Sequence, residues 1–143
     1  MDLNGRFGLH GKGALVTGAS SGLGRHFSEV LVRHGAQVAV GARRMALLEH
    51  LADEIQSVGG KAVAVELDVS DPFKVAKAFD AAEKEVGAID IVVNNAGVAV
   101  EGWFVDTSEE DWRRTMGVNV DGVIRVGREA ARRMLERGTG GSI

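Results

Sequence analysis

Ala14-Leu15-Val16-Thr17-Gly18-Ala19-Ser20-Ser21-Gly22-Leu23-Gly24 decides how this chain is read. A short apolar run closes in a glycine-rich turn, after which Leu23, Phe27, Val30 and Leu31 repeat at helical spacing. A strand feeding a helix through such a turn aims free backbone N–H groups, and the positive end of the helix dipole, at one point in space. That point suits a diphosphate. Glycine there lets the backbone approach a ligand closely and take φ > 0, where a Cβ would clash. An ordinary tight strand–helix turn is the competing reading, but strand before and helix after is the context that dinucleotide binding requires. A P-loop fits less well, because no Gly-Lys-Ser/Thr triplet follows.

Outward from this turn the apolar period alternates. The first helical stripe runs to Gly35, which suits a left-handed stop. Val38 to Val40 reads as a second strand, and Leu48, Leu51 and Ile55 mark a second helix that ends near Gly59-Gly60. Val63, Val65 and Leu67 form a third strand. Asp71-Pro72 reads as N-cap plus first helical residue, opening a stripe of Val75, Phe79, Ala82 and Val86 that stops at Gly87. Ile89 to Val93 is a fourth strand. Thr107-Ser108-Glu109-Glu110 offers a capping box for a helix carrying Trp112 and Met116. A last helical stretch runs from about Asn119 to Glu136, and Gly138-Thr139-Gly140-Gly141 leads towards a fifth strand that begins at Ser142-Ile143. Strands alternating with helices mean βαβ units, hence an α/β fold on a parallel sheet.

Composition bounds the function. The 143 residues are 45% apolar and 26% charged, as suits one domain with a sizeable core. Seventeen Lys plus Arg against twenty Asp plus Glu give a net charge of -3, which argues against a nucleic-acid binder. Without cysteine there is no disulfide, thiolate metal site or cysteine nucleophile. His10, His26, His34 and His50 lack metal-ligand spacing, so no metal is expected. No apolar run approaches the roughly 20 residues that cross a bilayer. Met1 to His10 lack a signal core, so the expected address is cytoplasmic.

Gly18, Gly22 and Gly24 stand as Thr-Gly-x-x-x-Gly-x-Gly, and Asn94-Asn95-Ala96-Gly97 follows the fourth strand. Together they resemble the single-domain branch of the short-chain dehydrogenase/reductase superfamily, from about Leu9 to Ile143. The resemblance implies a Rossmann-like doubly wound parallel sheet of order 3-2-1-4, with a fifth strand beside the fourth. Residues 1–143 are then one NAD(P)-binding domain, cut at the start of that fifth strand. It also implies cofactor contacts from Thr17, Gly18, Ser20, Ser21, Gly22, Leu23 and Gly24, from Asp68 and Val69, from Asn95, Ala96 and Gly97, and from Val118. Asp68 is equally able to cap the next turn. Asn94 is expected to be structural, tying neighbouring strands through its side chain.

The cofactor is read at the end of the second strand. An acidic residue there takes the ribose 2′-OH of NAD, whereas a nearby arginine accommodates a 2′-phosphate. By the family pattern the acid falls near Ala42, and Arg43 and Arg44 follow. Arginine offers a forked, permanent charge to phosphate, so NADP is expected over NAD; a solvated helix entrance is the alternative for both arginines.

The implied activity interconverts an alcohol and a ketone or aldehyde by hydride transfer, on a small-molecule substrate, in a homodimer or homotetramer. Of the family's catalytic groups, Asn119 fits the asparagine, with a helix-junction cap as its competing role. The serine and the Tyr-x-x-x-Lys pair are expected after Ile143, and the chain has no tyrosine. The 143 residues alone are therefore expected to be inactive and, with Ile89 to Val93 as an open apolar edge, poorly soluble. A non-catalytic NADP-binding module or regulatory fragment is the alternative. Asp90 is expected to be structural. Trp103 and Phe104 line a pocket or pack in a core or interface. Arg125, Arg128, Arg132, Arg133 and Arg137 share a mixed helix surface with Glu129 and Glu136. Val123, Val126, Ala130 and Met134 serve either a subunit face or the chain's own core.

Overall fold

A computed structural model describes residues 8–143. The signal reading of Met1 to His10 therefore falls mostly outside the described residues. Four parallel strands, β1 (Gly13–Thr17), β2 (Gln37–Ala42), β3 (Lys61–Glu66) and β4 (Ile89–Val93), form a sheet of order β3-β2-β1-β4. The crossovers are α1 (Gly22–Arg33), α2 (Met45–Ser57) and α3 (Pro72–Val86). A 3₁₀ turn (Phe104–Asp106), α4 (Glu109–Asn119) and α5 (Asp121–Arg137) complete the chain. This is the expected Rossmann arrangement. It follows because each strand is too apolar to leave either face to water, so helices cover both.

Alternation within the strands divides the core in two. Ala14, Val16, Val38 and Val40 face α2, packing on Leu48, Leu51, Ala52 and Ile55. Leu15, Ala39 and Val92 face the other way, onto Val75, Phe79, Ala82, Val126, Ala130 and Met134 of α3 and α5. The stripe on α5 thus belongs mainly to the chain's own core; of its four residues only Val123 is open to solvent, 39% exposed.

The turns bear out most of the local reading. Asp71 caps α3, its Oδ1 accepting from the Phe73 and Lys74 N–H groups. The cap of α4 is displaced by one residue from Thr107: Ser108 Oγ accepts from Asp111 N at 3.1 Å and donates to Asp111 Oδ2 at 2.7 Å. A shorter carboxylate in the third helical position reaches the serine, so Glu110 is not needed.

Asp90 is structural. It sits where the β1–β4 register shifts, between the Gly13↔Ile89 and Ala14↔Ile91 pairs. Its carboxylate accepts from Gly13 N at 3.3 Å and pairs with Arg137 at 3.3 Å. Its carbonyl accepts from Ser142 N at 2.8 Å, and Ser142 O accepts from Val92 N at 2.9 Å. Ser142 therefore begins to pair with the outer edge of β4 in parallel, opposite Ile91, where a fifth strand was expected.

Candidate dinucleotide-binding site

The carboxyl ends of the four strands open onto a cavity of about 250 Å³. Crevices of this kind, beyond the strand ends where the winding direction reverses, are where ligands bind in open α/β sheets. Here the reversal lies between β1, which leads to β2 on one side, and β4 on the other.

Gly18 forms the floor. Its φ is +67°, and a Cβ there would lie 2.8 Å from Ala96 Cα; glycine alone allows the β1 and β4 exits to approach. Gly24 does the same work within the turn, where a Cβ would lie 2.6 Å from Gly18 O. The two exits are latched by Thr17, whose side chain is almost fully buried. Its Oγ1 donates to Val93 O at 3.3 Å and accepts from Asn95 N at 3.0 Å and Ala96 N at 2.9 Å. Asn95 Nδ2 completes the latch, donating to Thr17 O at 2.9 Å and Gly18 O at 3.3 Å. The strand-tying role expected of Asn94 thus belongs to Asn95. Among the described residues the Asn94 side chain makes no hydrogen bond, because it is Asn95 that turns back towards β1.

At the mouth, α1 begins at Gly22 with no side-chain cap and no acidic residue in its first turn. The Ser21 hydroxyl, which would cap it, faces Arg44 instead: Arg44 Nη2 donates to Ser20 Oγ at 2.9 Å and Ser21 Oγ at 3.2 Å. The first-turn N–H groups are left for another acceptor, as a helix-end anion site requires. Arg43 lines the cavity and, among the described residues, makes no hydrogen bond or ion pair. Ala42, at the end of β2, lines it too, so no carboxylate stands where the family pattern would put one.

Asp68 lies across from Arg43. Its Oδ1 accepts from Ser70 N at 3.0 Å and Ser70 Oγ at 2.6 Å, so it does cap the following turn. Burial pushes its carboxyl up, but the two bonds from Ser70 and the charges of Arg43 and Lys74 outweigh this and hold it below the ordinary carboxylate value.

Of the expected cofactor residues, the cavity brings together Gly18, Ser20, Ser21, Arg43, Arg44, Asp68, Val69, Asn95, Ala96, Gly97 and Val118. Thr17, Gly22, Leu23 and Gly24 are not in its lining: Thr17 and Gly24 are buried beneath it, and Leu23 is exposed beside it. Asn119 also lies off the lining, both ends of its amide engaged with Val98. Leu67 and Val98 line the cavity without having been expected. Their only signal is position, each next to a residue that was singled out.

A family model described as short chain dehydrogenase matches residues 12–143. A short-chain type dehydrogenase/reductase from Mycobacterium marinum is 42% identical with a TM-score of 0.93, over 99% of this chain and 57% of that one. A gluconate 5-dehydrogenase from Burkholderia cenocepacia J2315, solved in complex with NADP and tartrate, is 36% identical with a TM-score of 0.89, over 98% and 55%. A short chain dehydrogenase/reductase from Burkholderia phymatum, in complex with NAD, is 33% identical with a TM-score of 0.88, over 94% and 48%. The chain spans about half the length, or less, of the curated relatives it matches.

Proposed function

The chain belongs to the short chain dehydrogenase family, and from that membership we propose that it is the NADP(H)-binding part of an oxidoreductase interconverting an alcohol and a ketone or aldehyde. The observation that carries the choice of cofactor is the end of β2: Ala42 presents no carboxylate, and Arg43 lines the cavity with no hydrogen bond or ion pair among the described residues. A 2′-phosphate there meets a forked cation and no like charge.

The residues fit such a cofactor. Gly18 and the uncapped first turn of α1 (Gly22, Leu23 and Gly24) would take the diphosphate through backbone N–H groups, over the floor latched by Thr17. Ser20 and Ser21 hold Arg44 at the mouth beside Arg43. Asp68 and Val69 would border the adenine, and Asn95, Ala96, Gly97 and Val118 the nicotinamide side. When bound, the cofactor supplies a hydride to a carbonyl carbon or accepts one from an alcohol. Asn119 would act by positioning, since its amide fixes the backbone of Val98. A proton donor is also needed for the resulting alkoxide, and no tyrosine is available among the 143 residues.

We expect the whole protein to be a cytoplasmic homodimer or homotetramer. Among the described residues no helix is long and apolar enough to cross a membrane. The test is calorimetric titration with NADP⁺ and NAD⁺ at equal ionic strength. NADP⁺ should bind at least roughly tenfold more tightly; equal affinities would reject the 2′-phosphate reading.

A further inference from the structure

Residues 98–119 leave the cavity mouth and rejoin it as one closed excursion. Val98 and Val118 both line the cavity. Asn119 ties the ends, its Oδ1 accepting from Val98 N at 2.9 Å and its Nδ2 donating to Val98 O at 2.8 Å. Between them lie the 3₁₀ turn and α4, neither of which has a buried residue. The turn carries Trp103 and Phe104, 80% and 86% exposed, with Val105 beside them. Successive large apolar side chains left in the open, on a segment whose two ends line a cleft, mark a binding surface.

The charge of this segment is one-sided as far as Trp112, before its two cations, Arg113 and Arg114, enter on α4. From Gly87 to Trp112 there is no Lys, Arg or His, whereas Glu101, Asp106, Glu109, Glu110 and Asp111 fall within the excursion. Glu109 is paired with Arg113; Glu101 and Asp106, which flank the apolar turn, form no ion pair among the described residues. A ligand leaning on this wall meets apolar rings bordered by uncompensated negative charge.

Resting on the reading that the cavity holds a nicotinamide cofactor, we propose that residues 98–112 form the substrate-facing wall and select an apolar, uncharged alcohol or ketone over a sugar acid. An aliphatic chain laid across Trp103 and Phe104 removes apolar surface from water on both partners. A carboxylate at the same place is repelled by Glu101 and Asp106 and finds no cation on the wall to pair with.

The experiment uses a property of the sequence. Its two tryptophans are Trp103 and Trp112, and it has no tyrosine, so intrinsic fluorescence reports from this wall. The chain, saturated with NADP⁺, is titrated with 2-octanol, with 7-hydroxyoctanoate (nearly the same chain ended by a carboxylate) and with gluconate. Saturable binding of 2-octanol is expected, about tenfold or more weaker for 7-hydroxyoctanoate and absent for gluconate. Trp103→Ala, followed through Trp112, should weaken 2-octanol about fivefold or more. Glu101→Lys should raise the affinity of 7-hydroxyoctanoate relative to 2-octanol by about threefold or more. Equal affinities for 2-octanol and 7-hydroxyoctanoate, or no effect of Trp103→Ala, would overturn the proposal. So would a blue shift that grows with protein concentration before any probe is added, since a second copy would then cover the wall. Calorimetry with NADP⁺ on the same samples separates the two readings. No uptake of NADP⁺ rejects the cofactor site and this proposal with it, whereas uptake without selectivity among the probes rejects this proposal alone.

Discussion

Thr17 shows how one hydroxyl sets up a site without lining it. Its Oγ1 is the acceptor for two backbone N–H groups at the exit of β4. Thr17→Val keeps the shape but strands both donors in a buried place, at about 1–3 kcal/mol each. A loss of about 3 kcal/mol in urea unfolding is expected, with weaker NADP⁺ binding as the floor loosens. Arg43 is the opposite case, an exposed side chain with no hydrogen bond or ion pair among the described residues, whose proposed role is to grip the 2′-phosphate. Arg43→Ala should weaken NADP⁺ by roughly 10- to 100-fold and NAD⁺ by much less, with folding stability unchanged; parallel losses for the two cofactors in calorimetry would speak against its role. Asp68 adds a pH dependence. Its folded carboxyl is held below the unfolded value, so its contribution to stability is complete above about pH 4 and fades as pH falls through the folded value. Asp68→Asn should therefore cost stability at pH 7, and its deficit relative to the native protein should close as thermal melts are repeated in stronger acid. The group is half-buried and open to solvent on the cavity side, so the effect is small.

At the scale of elements, the helices differ in what holds them. α3 and α5 are anchored by the sheet and by each other: Arg133, over the ring of Phe79, bonds to Asp80 and Glu83 of α3 and to Glu129 of its own helix, each at 2.6 Å. The hydrogen bond from Arg132, against the opposing effect of burial and with help from Arg133, keeps the Glu129 carboxyl below its ordinary value. α4 has no buried residue and depends on its cap and on α5. Its amides should exchange fastest of the helical amides, because a helix with few buried contacts opens locally rather than with the whole domain. Ser108→Ala, which removes the cap at about 1 kcal/mol, should speed exchange in α4 roughly fivefold and leave the sheet amides unchanged. If sheet exchange rises equally, α4 belongs to the global unfolding unit.

For the whole molecule, one sheet is the shared wall of both core halves, so neither face can lose its packing without exposing the other. Unfolding followed by far-ultraviolet circular dichroism should be a single transition. Phe79→Ala on one face and Leu51→Ala on the other should both lower its midpoint, each costing about 2–5 kcal/mol of stability. Two separable transitions would mean that the halves fold independently. A bound cofactor stabilises the same unit: NADP⁺ at 100 times its dissociation constant should add about 2.7 kcal/mol.

Local chemistry was readable in the amino-acid order. The alternating periods, the glycine stops at Gly35 and Gly87 and the Asp71-Pro72 start depend on neighbours within a turn or two, and they specified the elements and the parallel sheet. The glycine-rich turn and the end of β2 were legible for the same reason, since strand, turn and helix are contiguous. What the order could not reveal was where side chains separated by about 20 to 80 positions would meet. Only the packed sheet decided that Asn95 rather than Asn94 turns back onto Thr17, that Arg44 rests on Ser20 and Ser21 and that Asn119 clamps Val98. Periodicity tells which way a residue faces, but a hydrogen bond is directional and short-ranged, and its partner exists only once distant strands have been brought side by side.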